Sequence, residues 1–156
     1  MHYVSQLLHT TNKNNHLIFF FLPAYLLANK GYDVWLLNFR GNDYSENHTS
    51  QNPNTSSDYW NFSWHEMGLY DIPATVNYTT NQTGQDNVTL ICYSQGCSAA
   101  FVAGIYNPNI TDQIKFTSAM APGVYMGNTQ YQNVKWMAMS EFPLKVSFPK
   151  NVFILL

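Results

Sequence analysis

The sequence is poor in charged residues. Asp, Glu, Lys and Arg make up 10% of its 156 residues, and the formal net charge is -2. No cluster of Lys and Arg occurs, so the chain lacks the basic patch with which proteins bind nucleic acids. Its polar surface must come mainly from Asn, Thr, Ser, Gln and Tyr. We therefore expect no nucleic-acid partner.

Cysteine is also scarce. The chain contains only Cys92 and Cys97, which are too few for a disulfide framework. We interpret them as two buried thiols, one at the end of a strand and one in the first turn of a helix. The sequence has no C-x-x-C motif and no His/Cys spacing typical of a metal site, so we predict no metal.

Long apolar runs are missing as well. The longest, Leu17 to Ala28, is interrupted by Pro23 and is shorter than the ~20 residues that a membrane span needs. The run could resemble the apolar core of a signal peptide, but no basic segment precedes it and no clean cleavage site of small residues follows it. We interpret the run as a buried helix, and we predict neither a transmembrane segment nor a signal peptide in this chain.

The first half of the chain alternates helix and strand signals. Hydrophobic residues make up 46% of the sequence, as in a globular domain. A helix is predicted from Pro23 to Lys30 with Gly31 as its stop, followed by a strand over residues 32–38. After a long polar loop, the S-x-x-E pattern at Ser63 predicts a helix beginning near residue 64. Pro73 should kink or split this helix, which is predicted to end near residue 77.

The second half continues the alternation. We predict a strand over residues 88–93, a helix over 95–106 and a strand over 114–121. This order favours an α/β fold with a mostly parallel sheet flanked by helices. We divide the chain into a poorly ordered segment, 1–21, a core, 22–126, and the beginning of a cap region, 127–156.

Ser94 stands where the second strand meets the next helix. A serine at a sharp strand-to-helix turn is typical of the nucleophile elbow of a hydrolase, in which Gly96 permits close packing. The first glycine of the G-x-S-x-G pattern is replaced here by Cys92. From this context alone, a catalytic elbow and an ordinary N-cap serine are both possible.

Further motifs in the chain resemble the acid lipase family, which includes lysosomal acid lipase, gastric lipase and insect lipases. In chain order they are Gly31-Tyr-Asp-Val-Trp35, Asn38-Phe-Arg-Gly-Asn42, Tyr59-Trp-Asn-Phe-Ser63, Glu66-Met67, Tyr70-Asp-Ile-Pro-Ala-Thr75, Thr83-Gly84-Gln85, Ser94-Gln-Gly96 and Ala121-Pro122. The resemblance extends over about residues 22 to 126.

The resemblance implies part of an α/β-hydrolase core, with an incomplete cap, that acts on neutral lipid esters at a lipid–water interface without a cofactor. It implies that Ser94 is the nucleophile and that the backbone N–H of Gln95 is one oxyanion donor. Cys92, Tyr93 and Gly96 then complete the elbow. We interpret Arg40 and Asn42 as structural residues near the site.

The residues that should activate Ser94 are not found where this family carries them. No histidine follows Ser94, and the only later carboxylates are Asp112 and Glu141. We find no triad Asp or His in the chain and no His-Gly-Leu segment in residues 1–21. We therefore expect an incomplete hydrolase with little turnover. All five histidines precede Ser94, namely His2, His9, His16, His48 and His65.

N-x-[ST] sequons are unusually dense. This density favours a glycoprotein of the secretory pathway, either lysosomal or extracellular. The alternatives to an incomplete hydrolase are a non-catalytic secreted glycoprotein that binds lipid or a partner, and a gene fragment without a stable fold. The sequons begin at Asn47, Asn54, Asn61, Asn77, Asn81, Asn87 and Asn109.

Overall fold

Helices and strands alternate along the part of the chain that the computed structural model describes, which comprises residues 23–125, 130 and 153–155. The predicted segments 1–21 and 127–156 therefore lie largely outside it. The elements are α1 (23–29), β1 (Trp35–Leu37), a 3₁₀ helix (Asp58–Trp60), α2 (Trp64–Glu66), a π-helix (Met67–Asp71), α3 (Ile72–Thr83), β2 (Val88–Tyr93), α4 (Gln95–Tyr106), α5 (Pro108–Gln113), β3 (Ile114–Met120) and β4 (Phe153–Leu155).

The first helix ends as its sequence predicts. Gly31 has a φ of +90°, a left-handed conformation that glycine adopts without the steric penalty of a side chain. The N–H of Tyr32 reaches back to the carbonyl of Leu27 at 3.2 Å. This turn satisfies helix-end carbonyls and directs the chain into β1.

The second helical segment begins with a capping box, as predicted. The Ser63 hydroxyl accepts a hydrogen bond from the His65 N–H at 3.1 Å, and the Ser63 N–H donates to the Glu66 carboxylate at 2.7 Å. The helix then passes through the π-helix into α3, whose first turn contains Pro73. The helix type changes close to Pro73. Proline has no N–H, so it cannot donate the backbone hydrogen bond that a regular α-helix would make at this position.

The predicted end of α3 was wrong, because the helix continues beyond residue 77 to Thr83. Its last turns are rich in Asn, Thr and Gln, so they lack the apolar periodicity from which a helix is predicted. Thr80 and Thr83 direct their hydroxyls to the carbonyls of Val76 and Thr79, at 3.1 and 2.8 Å. These local bonds let polar residues extend the helix to Gly84.

The four strands of the described residues form one sheet in the order β1-β4-β2-β3. β2 and β3 pair in parallel, with Cys92 opposite Ala119 and Tyr93 opposite Met120. β4 pairs antiparallel with both β1 and β2, so β1, β2 and β3 all run in one direction. The predicted α/β class is therefore confirmed, but an antiparallel strand from the end of the chain interrupts the parallel order.

The core lies between this sheet and the helices α3 and α4. α4 contributes small side chains, which let its backbone approach its neighbours closely. The buried cluster consists of Leu37, Phe39, Ile72, Val76, Val88, Leu90, Cys92, Cys97, Ala99, Ala100, Ala103 and Ile110.

Gly68 in the π-helix packs directly against α4. A β-carbon at this position would lie 2.5 Å from the carbonyl oxygen of Ala99 and 2.6 Å from Cβ of Val102. Backbone atoms cannot move aside as the tip of a side chain can, so only glycine fits here.

We predict that Gly68→Ala destabilises the fold by about 1–3 kcal/mol, because the added methyl group pushes the π-helix away from α4. The free energy of unfolding from urea titration measures this effect. Gly104→Ala is the matched control: a β-carbon at Gly104 has no atom within 4 Å. Alanine there should stabilise the protein by about 0.5–1 kcal/mol. Equal effects of the two substitutions would contradict the packing argument.

We also predict a pH-dependent contribution from Glu66. Burial acts to raise the pKa of Glu66, but hydrogen bonds from Ser63 and the nearby His65 together lower it below its usual 4.5. A lowered pKa stabilises the folded state above pH 4.5, and this stabilisation disappears as pH falls through the folded-state pKa.

Glu66→Gln should therefore lower the melting temperature at neutral pH and have a smaller effect at pH about 3. The loss at neutral pH should not exceed about 1 kcal/mol. Asp86→Asn, in an exposed turn, serves as the control. A difference between wild type and Glu66→Gln that does not change with pH would contradict the prediction.

Candidate active site

Ser94 joins β2 to α4 through an unusual backbone conformation. Its φ is 51° and its ψ is -123°, far from the extended conformation of a normal N-cap residue. Its side chain makes no capping hydrogen bond to α4, although it occupies the N-cap position. The residue is half-buried and lies outside the helix. Ser94 therefore does not cap the helix with its side chain, and its backbone makes a sharp turn from strand to helix.

Backbone hydrogen bonds hold Ser94 on both sides. Its N–H donates to the carbonyl of Met120 in β3 at 3.0 Å. Its carbonyl accepts from the N–H of Cys97, at 3.1 Å, and from the N–H of Gly123, at 3.2 Å. The turn is therefore bound to its own helix, to the neighbouring strand and to the segment that follows that strand.

The segment after β3 forms a brace against the elbow. Ala121 has a φ of 45°, so the chain turns sharply as it leaves the strand. The buried Ser98 hydroxyl, on the second turn of α4, donates to the carbonyl of Gly123 at 2.7 Å. Because the N–H of Gly123 also donates to the Ser94 carbonyl, this segment links the elbow to the second turn of α4.

Cys92 and Cys97 form a disulfide, which corrects the prediction of two buried thiols. Their α-carbons are 5.0 Å apart, a separation that a disulfide spans readily. The prediction assigned the two cysteines to separate elements and did not consider that the elbow folds those elements against each other. An i, i+5 pair of cysteines across a strand-to-helix turn was the signal in the sequence.

The elbow places Ser94 at the N-terminus of α4, a helix of 12 residues. Aligned peptide dipoles and first-turn N–H groups make this end of a helix electropositive. The residue after the serine, Gln95, begins the helix, so its backbone N–H belongs to this end. Such an end stabilises an anion, including the oxyanion that forms when an ester is attacked.

The sequence matches the model of the alpha/beta hydrolase fold over residues 7–140. The chain belongs to the alpha/beta hydrolase fold family. The match includes residues on both sides of the 22–126 segment in which the acid-lipase motifs occur.

Lipases are among the relatives, which confirms the resemblance to the acid lipases. Human Lipase member K is 42% identical over 130 residues, 83% of this chain and 32% of its own length. Lipase 1 of Drosophila melanogaster is 45% identical over 107 residues, 69% of this chain and 24% of its own length. Gastric triacylglycerol lipase of Rattus norvegicus is 38% identical over 131 residues, 84% of this chain and 33% of its own length. The chain thus spans a third or less of these relatives.

The histidines within the described residues have other partners. Nδ1 of His48 accepts the N–H groups of Ser50 and Gln51, at 3.2 and 3.0 Å. His65 contacts Tyr106 edge to face, with ring centroids 5.2 Å apart. Tyr106 ends α4, which is about 18 Å long, so His65 lies near the end of the helix opposite to Ser94.

Asp112 is the one other candidate for the catalytic base or acid within the described residues. Asp112 is exposed on α5. His2, His9, His16 and Glu141 lie outside the described residues.

Within the described part of the chain, no cluster of three or more His, Cys, Asp or Glu has the arrangement of a metal site. No helix there has the length and apolar character to span a bilayer.

Arg40 links the loop after β1 to the π-helix through Asp71. Its Nε lies 2.9 Å and its Nη2 lies 2.6 Å from the same oxygen of Asp71, at the end of the π-helix. The backbone N–H of Arg40 donates to the other carboxylate oxygen at 3.1 Å. The sequence did not identify Asp71 as the partner.

Two aromatic rings lie close to the arginine of this ion pair. The Arg40 guanidinium lies 5.9 Å from the ring of Phe62 and 5.3 Å from that of Tyr70. Gly41 has a φ of 78°, and a β-carbon on it would lie 2.6 Å from the Phe62 ring. Asn42, the third polar residue of this loop, donates to the side chain of Asn38 at 2.9 Å.

The sequons share one property in the structure. All seven asparagines are exposed, so none is excluded from glycosylation by burial. Asn77 also accepts a hydrogen bond from the Gln113 side chain at 3.2 Å.

We predict that Arg40→Lys lowers the free energy of unfolding by about 1–2 kcal/mol, since lysine cannot make the forked bond to Asp71. Asp71→Asn should have a similar effect, and the double variant should lose less than the sum of the two. Denaturant titration of the four proteins measures this coupling. Asp112→Asn, on an exposed carboxylate, is the control and should change stability little. Additive losses would show that the ion pair contributes nothing.

Proposed function

We propose that the protein to which this chain belongs is a carboxylic ester hydrolase of the acid-lipase type. Its substrates are neutral lipid esters, taken from a lipid–water interface. The support is membership of the hydrolase fold family together with relatives named as lipases, one of them a triacylglycerol lipase. The chain corresponds to about a third of such a lipase.

The observation that carries the proposal is the backbone of Ser94. A serine with a φ of 51° between β2 and α4, making no capping bond, has its hydroxyl available for another purpose. Strained backbone of this kind costs about 1–3 kcal/mol and is concentrated at functional sites. We assign the nucleophile to this hydroxyl.

The proposed reaction proceeds in two steps. As the Ser94 oxygen attacks the ester carbonyl, its hydroxyl proton passes to a base, and the carbonyl oxygen becomes an oxyanion that the backbone N–H of Gln95 stabilises. Collapse of this intermediate breaks the bond to the alkoxy oxygen, which takes up that proton and leaves as the alcohol. The fatty-acyl group stays on Ser94 until water attacks it and releases the acid. Each oxyanion donor contributes about 2.7–4 kcal/mol to such a reaction. We assign no described residue as the proton acceptor.

The sequons and their exposure support a place for the protein in the secretory pathway. Asparagine-linked sugar is added there, so seven exposed acceptor sites fit a lysosomal or extracellular glycoprotein. We propose this location together with the activity.

The test is covalent labelling with a fluorophosphonate, which mimics the tetrahedral intermediate and stays on the serine it reacts with. We expect Ser94 to be labelled at least about 10-fold faster than any other serine of the chain, because oxyanion stabilisation favours this position. Peptide mass spectrometry locates the label. Ser63, an exposed serine whose hydroxyl also lies at a helix start, is the internal comparison.

Ser94→Ala should abolish the selective labelling and leave the melting temperature nearly unchanged. Labelling spread equally over exposed serines in both proteins would overturn the assignment of the nucleophile. Saturable binding of lipid vesicles without selective labelling would instead favour the non-catalytic glycoprotein. For this chain alone, which has no histidine after Ser94, we expect turnover of a nitrophenyl ester to stay near background.

A further inference from the structure

The disulfide encloses the elbow. Cys92 is the next-to-last residue of β2, and Cys97 is the third residue of α4. Only four residues lie between them, and Ser94 is one of these. Both cysteines are buried, with 1% and 0% of their surface exposed. The covalent bond therefore joins the two arms of the turn that contains Ser94, the end of β2 and the first turn of α4.

The backbone conformation of Ser94 suggests what the disulfide does. A non-glycine residue with a φ of 51° lies in a strained region, and it remains there only if its surroundings prevent relaxation. Relaxation to a negative φ changes the direction in which α4 leaves the strand. The bond between Cys92 and Cys97 opposes that change, because it fixes the separation of the two arms at 5.0 Å between α-carbons.

We propose that Cys92 and Cys97 are positioning residues, whose disulfide holds Ser94 in the elbow conformation required for attack on the ester. The proposal rests on the proposed function, since positioning has a catalytic meaning only if Ser94 is the nucleophile. The disulfide does not touch the substrate. It acts through the backbone of Ser94, in company with the hydrogen bonds to Met120 and Gly123.

The proposal explains why a side chain is accommodated where the hydrolase pattern has its first glycine. Cys92 is bonded to Cys97, and both are buried between strand and helix. Bonded sulfur atoms lie closer together than unbonded ones can, so the disulfide lets two side chains fit between strand and helix. Once the bond is broken, two unbonded sulfur groups must share the same space and press the arms apart.

This steric argument makes the variants distinguishable. Cys97→Ser removes the bond but leaves the side chain of Cys92 between the arms. Adding Cys92→Gly removes that side chain too and recreates the small residue of the general pattern. If the disulfide positions Ser94, the single variant should be impaired and the double variant should be largely rescued. A disulfide that contributes only stability would leave the double variant no better than the single one.

The first experiment reads the conformation of Ser94 without requiring it to react. The chain has only two cysteines, so dithiothreitol, which is oxidised as Cys92 and Cys97 become thiols, affects one bond. Carbon-13 shifts of Ser94 should change on reduction and in Cys97→Ser, and return toward their original values in Cys92→Gly/Cys97→Ser. The shifts of Ser63 should stay constant. Unchanged Ser94 shifts, or two free thiols before reduction, would overturn the proposal.

The second experiment measures fluorophosphonate labelling of Ser94 well below the melting temperature of every variant. We expect labelling to be about 10- to 100-fold slower in Cys97→Ser than in the oxidised protein, and largely restored in the double variant. Equal rates in all three would overturn the positioning role. If the oxidised protein shows no selective labelling, the proposed nucleophile fails, whereas the carbon-13 shifts still decide whether the disulfide holds the elbow.

Discussion

The left-handed backbone of Ser94 is the constraint on which the described structure depends. A single residue in this conformation turns the chain from a strand into a helix and leaves the serine at the helix N-terminus. The strain of about 1–3 kcal/mol must be offset by neighbouring interactions. Three backbone hydrogen bonds and one disulfide provide them, and they come from the strand, the helix and the segment after β3.

Among the residues that the structure describes, charge contributes to the architecture at few places. The bidentate pair of Arg40 and Asp71 joins the loop after β1 to the π-helix, and aromatic rings flank the guanidinium. Most of the other side-chain hydrogen bonds are made by hydroxyl and amide groups, as at Ser63, Ser98 and the threonines of α3. The low charge of the sequence is thus matched by a structure held by neutral hydrogen bonds and close packing.

Elements with a local signal were predictable from the sequence. Pro23 and Gly31 bound α1, the Ser63 capping box begins α2, and the apolar run of β2 matches the observed strand. Contacts between distant segments were not predictable in this way. The pairing of Arg40 with Asp71 and the insertion of β4 beside β2 depend on tertiary packing, which leaves no periodic pattern in the sequence.

In the candidate site, too, features with a local sequence signal were predictable and tertiary contacts were not. The position of Ser94 between strand and helix followed from the order of apolar and small residues. The disulfide did not, because its prediction requires knowing how sharply the elbow bends. The hydrogen bond from Ser98 to Gly123 was not predictable either. It joins a helix to a segment for which the sequence predicts only a turn.

The contact at Gly68 has a consequence for how α4 is able to move. Because Ala99 and Val102 leave no space for a methyl group at Gly68, this contact opposes rotation of α4 about its axis and translation along it. A piston-like shift of the helix would carry Ser94 up or down relative to the sheet edge. A glycine on a separate helix, far from the elbow along the chain, therefore helps to keep the serine at its height above the sheet.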